Sequence, residues 1–157
     1  MTKTWEYRFG IYRRGLLTKI QDNLYIGDSE VAQNKKLLNA CGIVNVISLG
    51  NETELTKIYR YFEDKNYLQV QVEDAYDADI SSYFSHCNDF IQQSLDKGEG
   101  ILVHCYAGIS RSATIIISYL MKQGMSYLSA SQKLKIKRPF VNPNINFVNQ
   151  LCKFYQN

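Results

Sequence analysis

The 157 residues amount to one domain's worth of chain, and 45% apolar with 21% charged side chains are ordinary globular proportions that exclude disorder, fibrous repeats and low-complexity architecture. Eighteen basic against fifteen acidic side chains leave +3. That falls short of the basic balance marking a nucleic-acid surface, so no nucleic-acid partner is expected. The longest mainly apolar stretch, 113–121, is interrupted by Thr114 and Ser118 and is far shorter than the roughly 18 residues of a membrane span. Lys3, Glu6 and Arg8 stand where a cleaved leader needs an apolar run, so an intracellular protein, cytoplasmic or nuclear, is expected. Cys41, Cys87, Cys105 and Cys152 show no framework spacing and read as free thiols.

Residues 1–15, rich in arginine, tyrosine and glycine, read as an irregular lead-in to a single domain over 16–157. Two short strands are expected within 20–27, turning at Asp22-Asn23. Asp28-Ser29-Glu30 can cap a helix running to about Ala40, with Gly42 as its stop. The apolar, β-branched run 43–49 predicts a buried strand, whereas 51–66 is charged and aperiodic and reads as loop with one helical turn. Alternation over 67–72 predicts another strand, followed by an acidic loop at 73–77. Asp79 is placed to cap a helix whose apolar positions Ile80, Tyr83, Phe84, Cys87, Phe90, Ile91 and Leu95 share one face, and Gly98 ends it. The run 101–103 is a short central strand that passes through a glycine-containing turn into a helix over 110–123. Helices are expected at 127–137 and 143–155, the last capped by Asn142 with Pro143 at its first position. Strands alternating with helices predict an α/β fold, a central, mostly parallel twisted sheet flanked by helices.

The segment His104-Cys105-Tyr106-Ala107-Gly108-Ile109-Ser110-Arg111-Ser112 falls between the central strand and the next helix, where open α/β sheets bind ligands. A turn wrapped onto a helix N-terminus gathers backbone N–H groups and the positive end of the helix dipole at one point, which suits a phosphate dianion. Arg111 adds a planar fork of donors matched to two phosphate oxygens. Gly108 permits a backbone conformation that a side chain would obstruct. Cys105 stands at the floor of this nest, where the same donors favour its thiolate, and a thiolate aimed at phosphorus is an in-line nucleophile. The expected phosphate-binding set is therefore Cys105, Tyr106, Ala107, Gly108, Ile109, Ser110 and Arg111. With two histidines, four cysteines, nine glycines and six arginines in the chain, chance yields His-Cys-x-x-Gly-x-x-Arg roughly once in ten thousand such chains.

This pattern resembles the signature of the cysteine-dependent protein tyrosine phosphatase superfamily. The whole chain is similar to its small, single-domain (atypical) dual-specificity phosphatases, from about Leu16 to Tyr155. The similarity includes residues 23–27, Glu73-Asp74, 79–84 and 138–144 leading to Phe147, Gln150 and Leu151. The resemblance implies that Cys105 attacks phosphorus and forms a cysteinyl-phosphate while Arg111 binds the phosphoryl oxygens. Asp74, thirty-one residues before Cys105, would be the general acid, Ser112 would assist departure of the thiolate, and His104 would orient the loop. The chemistry itself requires an acid for the leaving group and a base for the hydrolytic water. Among the neighbouring carboxylates Asp77 is the alternative acid, and Asp79 is better explained as the helix cap.

The implied activity is hydrolysis of phosphotyrosine and phosphoserine or phosphothreonine in a phosphorylated protein substrate, with no cofactor and no metal. Two alternatives stand beside it. One is a phosphatase for a non-protein phosphate ester (an RNA 5′ end, an inositol lipid or a glucan); the other is a catalytically weak phosphate-binding docking module. Tyr106, Ala107 and Ile109 place no lysine inside the loop for the additional phosphates of an inositol lipid. The two His-Cys pairs, at 86–87 and 104–105, lack metal-ligand spacing. Cys41, Cys87 and Cys152 read as buried thiols. Lys133, Lys135, Lys137 and Arg138 read as a solvated helix face, with a basic rim that includes Arg138 as the sharper reading. Tyr106 is expected to point outward at the pocket edge, and nothing in the sequence specifies an oligomeric state.

Overall fold

The computed structural model describes residues 4–7 and 10–156, with side chains from Tyr12 onward. Strands β1 (Thr4–Tyr7) and β2 (Gly10–Arg13) form an antiparallel pair where the sequence suggests an irregular lead-in. Residues 1–3, 8, 9 and 157, on which the expected lead-in and domain limits partly fall, lie outside the described residues.

The central sheet contains β3 (Thr18–Gln21), β4 (Leu24–Gly27), β5 (Ile43–Gly50), β6 (Asn66–Gln71) and β7 (Gly100–His104), in the order β3-β4-β7-β5-β6. Only β3 and β4 pair antiparallel; the other three ladders are parallel. Every residue of β7 is buried, and β5 is buried except at Val44, so both strands need cover on both faces. One face is covered by α1 (Ser29–Ala32), α2 (Lys35–Ala40) and α3 (Glu52–Ile58), packing Val31, Leu38, Ile58 and Phe62 against Val46 and Leu102. The other carries α4 (Phe84–Asp96), α5 (Arg111–Lys122), α6 (Tyr127–Lys137) and α7 (Ile145–Phe154), with Phe84, Ile91, Ile116 and Phe147 in its core. Because α5 lies among other helices, ten of its residues are buried, the polar Thr114 and Ser118 among them. Among the described residues no helix is long and apolar enough to cross a membrane.

Several local expectations are corrected. The helix expected from 29 to 40 is two helices, because the Asn34 side chain accepts from Leu37 N at 3.1 Å and starts α2 afresh. Much of the expected loop at 51–66 is α3 followed by a 3₁₀ turn, Tyr59–Phe62. It is nucleated by a reciprocal cap in which Asn51 and Glu54 each accept the other's backbone N–H. Asp79 does cap, accepting from Ser82 N at 3.2 Å, but the first turn is 3₁₀ and α4 proper starts at Phe84. The last helix starts at Ile145 under Asn144, not Asn142, since the Asn144 side chain reaches Phe147 N at 3.0 Å. Cys87 is buried, which pushes its thiol up to about 12, whereas Cys41 is half-buried and Cys152 exposed, against expectation.

Candidate active site

Residues 105–110 connect β7 to α5 and wrap around the N-terminal end of that helix. Three of their carbonyls are held from outside. Tyr106 O accepts from Ser29 N at 3.1 Å and from Arg14 Nη1 at 2.8 Å. Gly108 O accepts from Arg138 Nε at 2.9 Å, and Ile109 O from Asn142 N at 2.8 Å. In a planar trans peptide the N–H points opposite the carbonyl, so these contacts turn the N–H groups of Ala107, Ile109 and Ser110 towards the interior of the loop. Gly108 is indispensable to this curve. Its φ is +66°, and a Cβ there would lie 2.7 Å from Gly27 O.

Cys105 is 3% exposed, and its Sγ lies 3.1 Å from the Ser112 hydroxyl. His104, on the last residue of β7, is driven down to about 4 by burial and is therefore neutral. A carbonyl only accepts, so His104 Nδ1–H donates to Cys105 O at 3.2 Å, leaving Nε2 to accept from the Ser48 hydroxyl. The loop's entrance is thus fixed from beneath.

Arg111 is 7% exposed. Its Nη1 donates to Glu54 Oε2 at 2.8 Å and to Val72 O at 3.1 Å, and Nη2 donates to Glu54 Oε1 at 3.3 Å. The buried Nε has no partner among the described residues. One edge of the guanidinium is therefore committed to Glu54, while Nε remains to meet an anion. Burial alone would raise the Glu54 carboxyl, but the Arg111 guanidinium and Asn51 N–H outweigh it and hold Glu54 below the usual carboxylate range. Burial likewise works against the Arg111 charge, and Glu54 with Cys105 more than restores it.

Asp74 stands exposed on the loop between β6 and α4 and reaches the same place. Its Oδ1 accepts from Ser110 Oγ at 2.7 Å and from Asn144 Nδ2 at 2.8 Å. Asp79 is occupied as a cap. Tyr106 is 55% exposed at the rim, as expected, with the Arg14 guanidinium 4.7 Å from its ring centroid. Arg138 is neither a solvated residue nor part of a rim. It is completely buried behind the loop, donating to Gly108 O, Leu16 O and Thr18 Oγ1, and burial pushes it down to about 10.

Residues 24–157 match the family described as dual specificity phosphatase, catalytic domain. The chain belongs to this family. It is 36% identical over 139 residues to Dual specificity protein phosphatase 1B of Arabidopsis thaliana, covering 88% of this chain and 81% of that one. It is also 38% identical to Dual specificity protein phosphatase 1 of Mus musculus over 92% of its length, although that stretch is only 38% of the mouse protein. Among solved structures, the human tyrosine phosphatase-like serine/threonine/tyrosine-interacting protein superposes with a TM-score of 0.84 at 32% identity, covering 88% of this chain and 94% of that one. The structure of DUSP15 gives 0.78 at 32% identity, covering 88% and 86%. The chain is a dual specificity protein phosphatase.

In this phosphatase the structure brings together Cys105, Ser112, Arg111, His104 and Asp74. The sequence reading missed Glu54, Ser48 and Asn144. Glu54 had a local signal, the pairing Asn51-x-x-Glu54 that marks a helix start. Ser48 had none, since a serine in an apolar strand names no partner 56 residues away.

Proposed function

We propose that this phosphatase works through a covalent cysteinyl-phosphate on Cys105 and takes phosphorylated proteins as substrates. The supporting observation is Cys105 Sγ beside the Ser112 hydroxyl, inside a loop whose N–H groups converge with the free Nε of Arg111. The thiolate attacks phosphorus opposite the ester oxygen, so the S–P bond forms as the P–O bond breaks. Arg111 and the loop N–H groups bear the charge on the equatorial oxygens. Asp74 gives its proton to the departing alkoxide or phenoxide, and as a carboxylate takes one from the water that next attacks phosphorus. The S–P bond then breaks, phosphate leaves, and Ser112 donates to the restored thiolate.

Rapid quenching of wild type with a labelled phosphopeptide should trap acid-stable label on Cys105, and vanadate should inhibit by occupying the loop. Cys105→Ser should lose turnover by at least about 10⁴-fold while still binding phosphopeptide, since general features of the nest remain. Turnover by Cys105→Ser near that of wild type would overturn the proposal.

A further inference from the structure

The acid loop is exposed, and exposed loops with few apolar contacts are ordinarily mobile. Here the loop is tied to one helix. Asn144, the cap of α7, donates from Nδ2 to Asp74 Oδ1 while its backbone N–H donates to Ser110 Oγ at 3.0 Å. Asn146 donates from Nδ2 to Ala78 O at 2.8 Å and to Ala75 O at 3.3 Å. Gln150 accepts on Oε1 from Ile80 N at 3.0 Å and Ser81 N at 2.9 Å, and its Nε2 donates to Ala78 O at 2.8 Å and to Asn146 Oδ1 at 2.9 Å. Three neutral amides along α7 and at its cap therefore hold the loop from Asp74 to Ser81. At the same time, Ser110 joins the acid and the cap to the phosphate loop.

Resting on the mechanism above, we infer that Asn144, Asn146 and Gln150 form a clamp that holds the proton donor over the phosphate loop before substrate arrives, with Asn144 selecting which carboxyl oxygen carries the proton. Two donors, Ser110 Oγ and Asn144 Nδ2, point at Oδ1. An oxygen engaged by two donors is a poor place for a hydrogen, so the acidic proton belongs to Oδ2. Asn144 is thus a positioning residue that acts through Asp74, and Asn146 and Gln150 fix the backbone from which Asp74 projects. The cap of α7 adds economy to the arrangement, because Asn144 Oδ1 is already fixed by Phe147 N at 3.0 Å. Its amide plane is set by the helix, and Nδ2 has little choice of direction.

A double-mutant cycle between Asn144 and Asp74 tests this, using alkyl phosphate and nitrophenyl phosphate as paired substrates. Asn144→Ala should lower kcat on the alkyl phosphate by about 10- to 100-fold, part of the 10²–10⁴ that general acid catalysis contributes, and much less on the nitrophenyl ester, whose leaving group needs little protonation. In the Asp74→Asn background the same substitution should cost less than about twofold on either substrate. Asn144→Ser, which keeps a capping oxygen but is too short to reach Asp74, should resemble Asn144→Ala in kcat while unfolding close to the wild-type midpoint. Gln150→Ala should raise amide hydrogen exchange in 74–81 and lower kcat on the alkyl phosphate selectively. Equal losses in both Asp74 backgrounds, or equal losses on both substrates, would overturn the clamp. Absence of turnover in wild type would instead overturn the mechanism on which it rests.

Discussion

Cys105, Ser112 and Arg111 are 3%, 0% and 7% exposed, whereas Asp74, which the proposed mechanism has act on the same phosphoryl group, stands in solvent. The phosphate loop is fixed from behind by charged and titratable side chains. Arg138 has no exposure, His104 is neutralised by burial, and Glu54 grips the guanidinium of Arg111. The acid loop is held by neutral amides and by backbone groups at its turns. The difference follows from what each region has to do. A dianion and a thiolate need fixed donors in a water-poor site, where electrostatic interactions are strong and reorganisation is small. A proton donor must exchange its proton with water in every cycle, so it stays at the surface and is positioned by contacts that carry no charge. Substitutions behind the phosphate loop should accordingly be costly and pH-dependent, and those at the rim mild.

Among the side chains that hold the phosphate loop from behind, the largest effect is expected at Glu54. Glu54→Gln preserves a residue able to complete the cap with Asn51, so α3 should persist, but the buried guanidinium loses its counter-charge. The fork would then be aimed loosely, and kcat/KM should fall about 10²-fold, the scale of a misplacement near 1 Å. Stability should fall by about 1–3 kcal/mol, less than the roughly 3–5 of a fully buried pair, because the Glu54 side chain is 28% exposed. Glu54 ionises below its ordinary 4.5 in the folded protein. Its contribution is therefore complete above about pH 4.5 and is lost as the pH falls through the lower folded value. Urea unfolding of both proteins across that range checks the sign. Unchanged kcat/KM in Glu54→Gln would dismiss the idea that Arg111 is held from behind.

A smaller effect is expected from the protonation of His104, and it is read in stability. The folded protein keeps this imidazole neutral down to about pH 4, while the unfolded chain protonates it near 6.5. Between those values the unfolded state binds the extra proton, so stability should fall on acidification through 6.5 and level off below about 4. The loss from pH 7.5 to pH 5 should be about 2 kcal/mol from this one group. His104→Gln should flatten the difference in urea unfolding between the two pH values, and an equal slope in both proteins would sink the assignment.

The same contrast explains what could be read from the sequence. His104 to Ser112 is a contiguous run whose chemistry is local, so the places of the cysteine, the guanidinium fork and the glycine in one loop were all legible. The strands were legible for a similar reason, since 43–49 and 101–103 are apolar runs that only a covered sheet accommodates. Residues whose role is set by a distant partner were not. Glu54 meets Arg111 across 57 positions, and Asn144 meets Asp74 across 70. Arg138 looked solvated because three lysines precede it, and only folding shows that Leu16, Thr18 and Gly108 enclose it. The misplaced helix starts are a different failure. Asn34, Asn51 and Asn144 each cap a helix through their own side chains, a local signal outweighed by poor apolar periodicity or by a neighbouring proline.

The smallest expected effect concerns the exposed rim, and it bears on how broadly the enzyme discriminates. A phosphotyrosine ring carries phosphorus several ångströms farther from the peptide backbone than serine or threonine does, so a deep pocket would admit tyrosine alone. Depth has to be built from loops. The acid loop has only nine residues, 72–80, between the end of β6 and the 3₁₀ turn at Ser81. Several of them are tied down onto α7 rather than raised as a wall. The rim also carries Tyr106, which is 55% exposed and leans on Arg14. The pocket should therefore be shallow, and phosphotyrosine and phosphothreonine in one peptide context should both be hydrolysed. Tyrosine should be faster by about tenfold or so, because phenoxide leaves more readily than an alkoxide and leans less on Asp74. Matched peptides compared by kcat/KM give the measure. A preference for phosphotyrosine beyond about 10⁴-fold, or roughly 5.4 kcal/mol, would mean that the rim is not shallow and that Tyr106 and the acid loop close over the substrate.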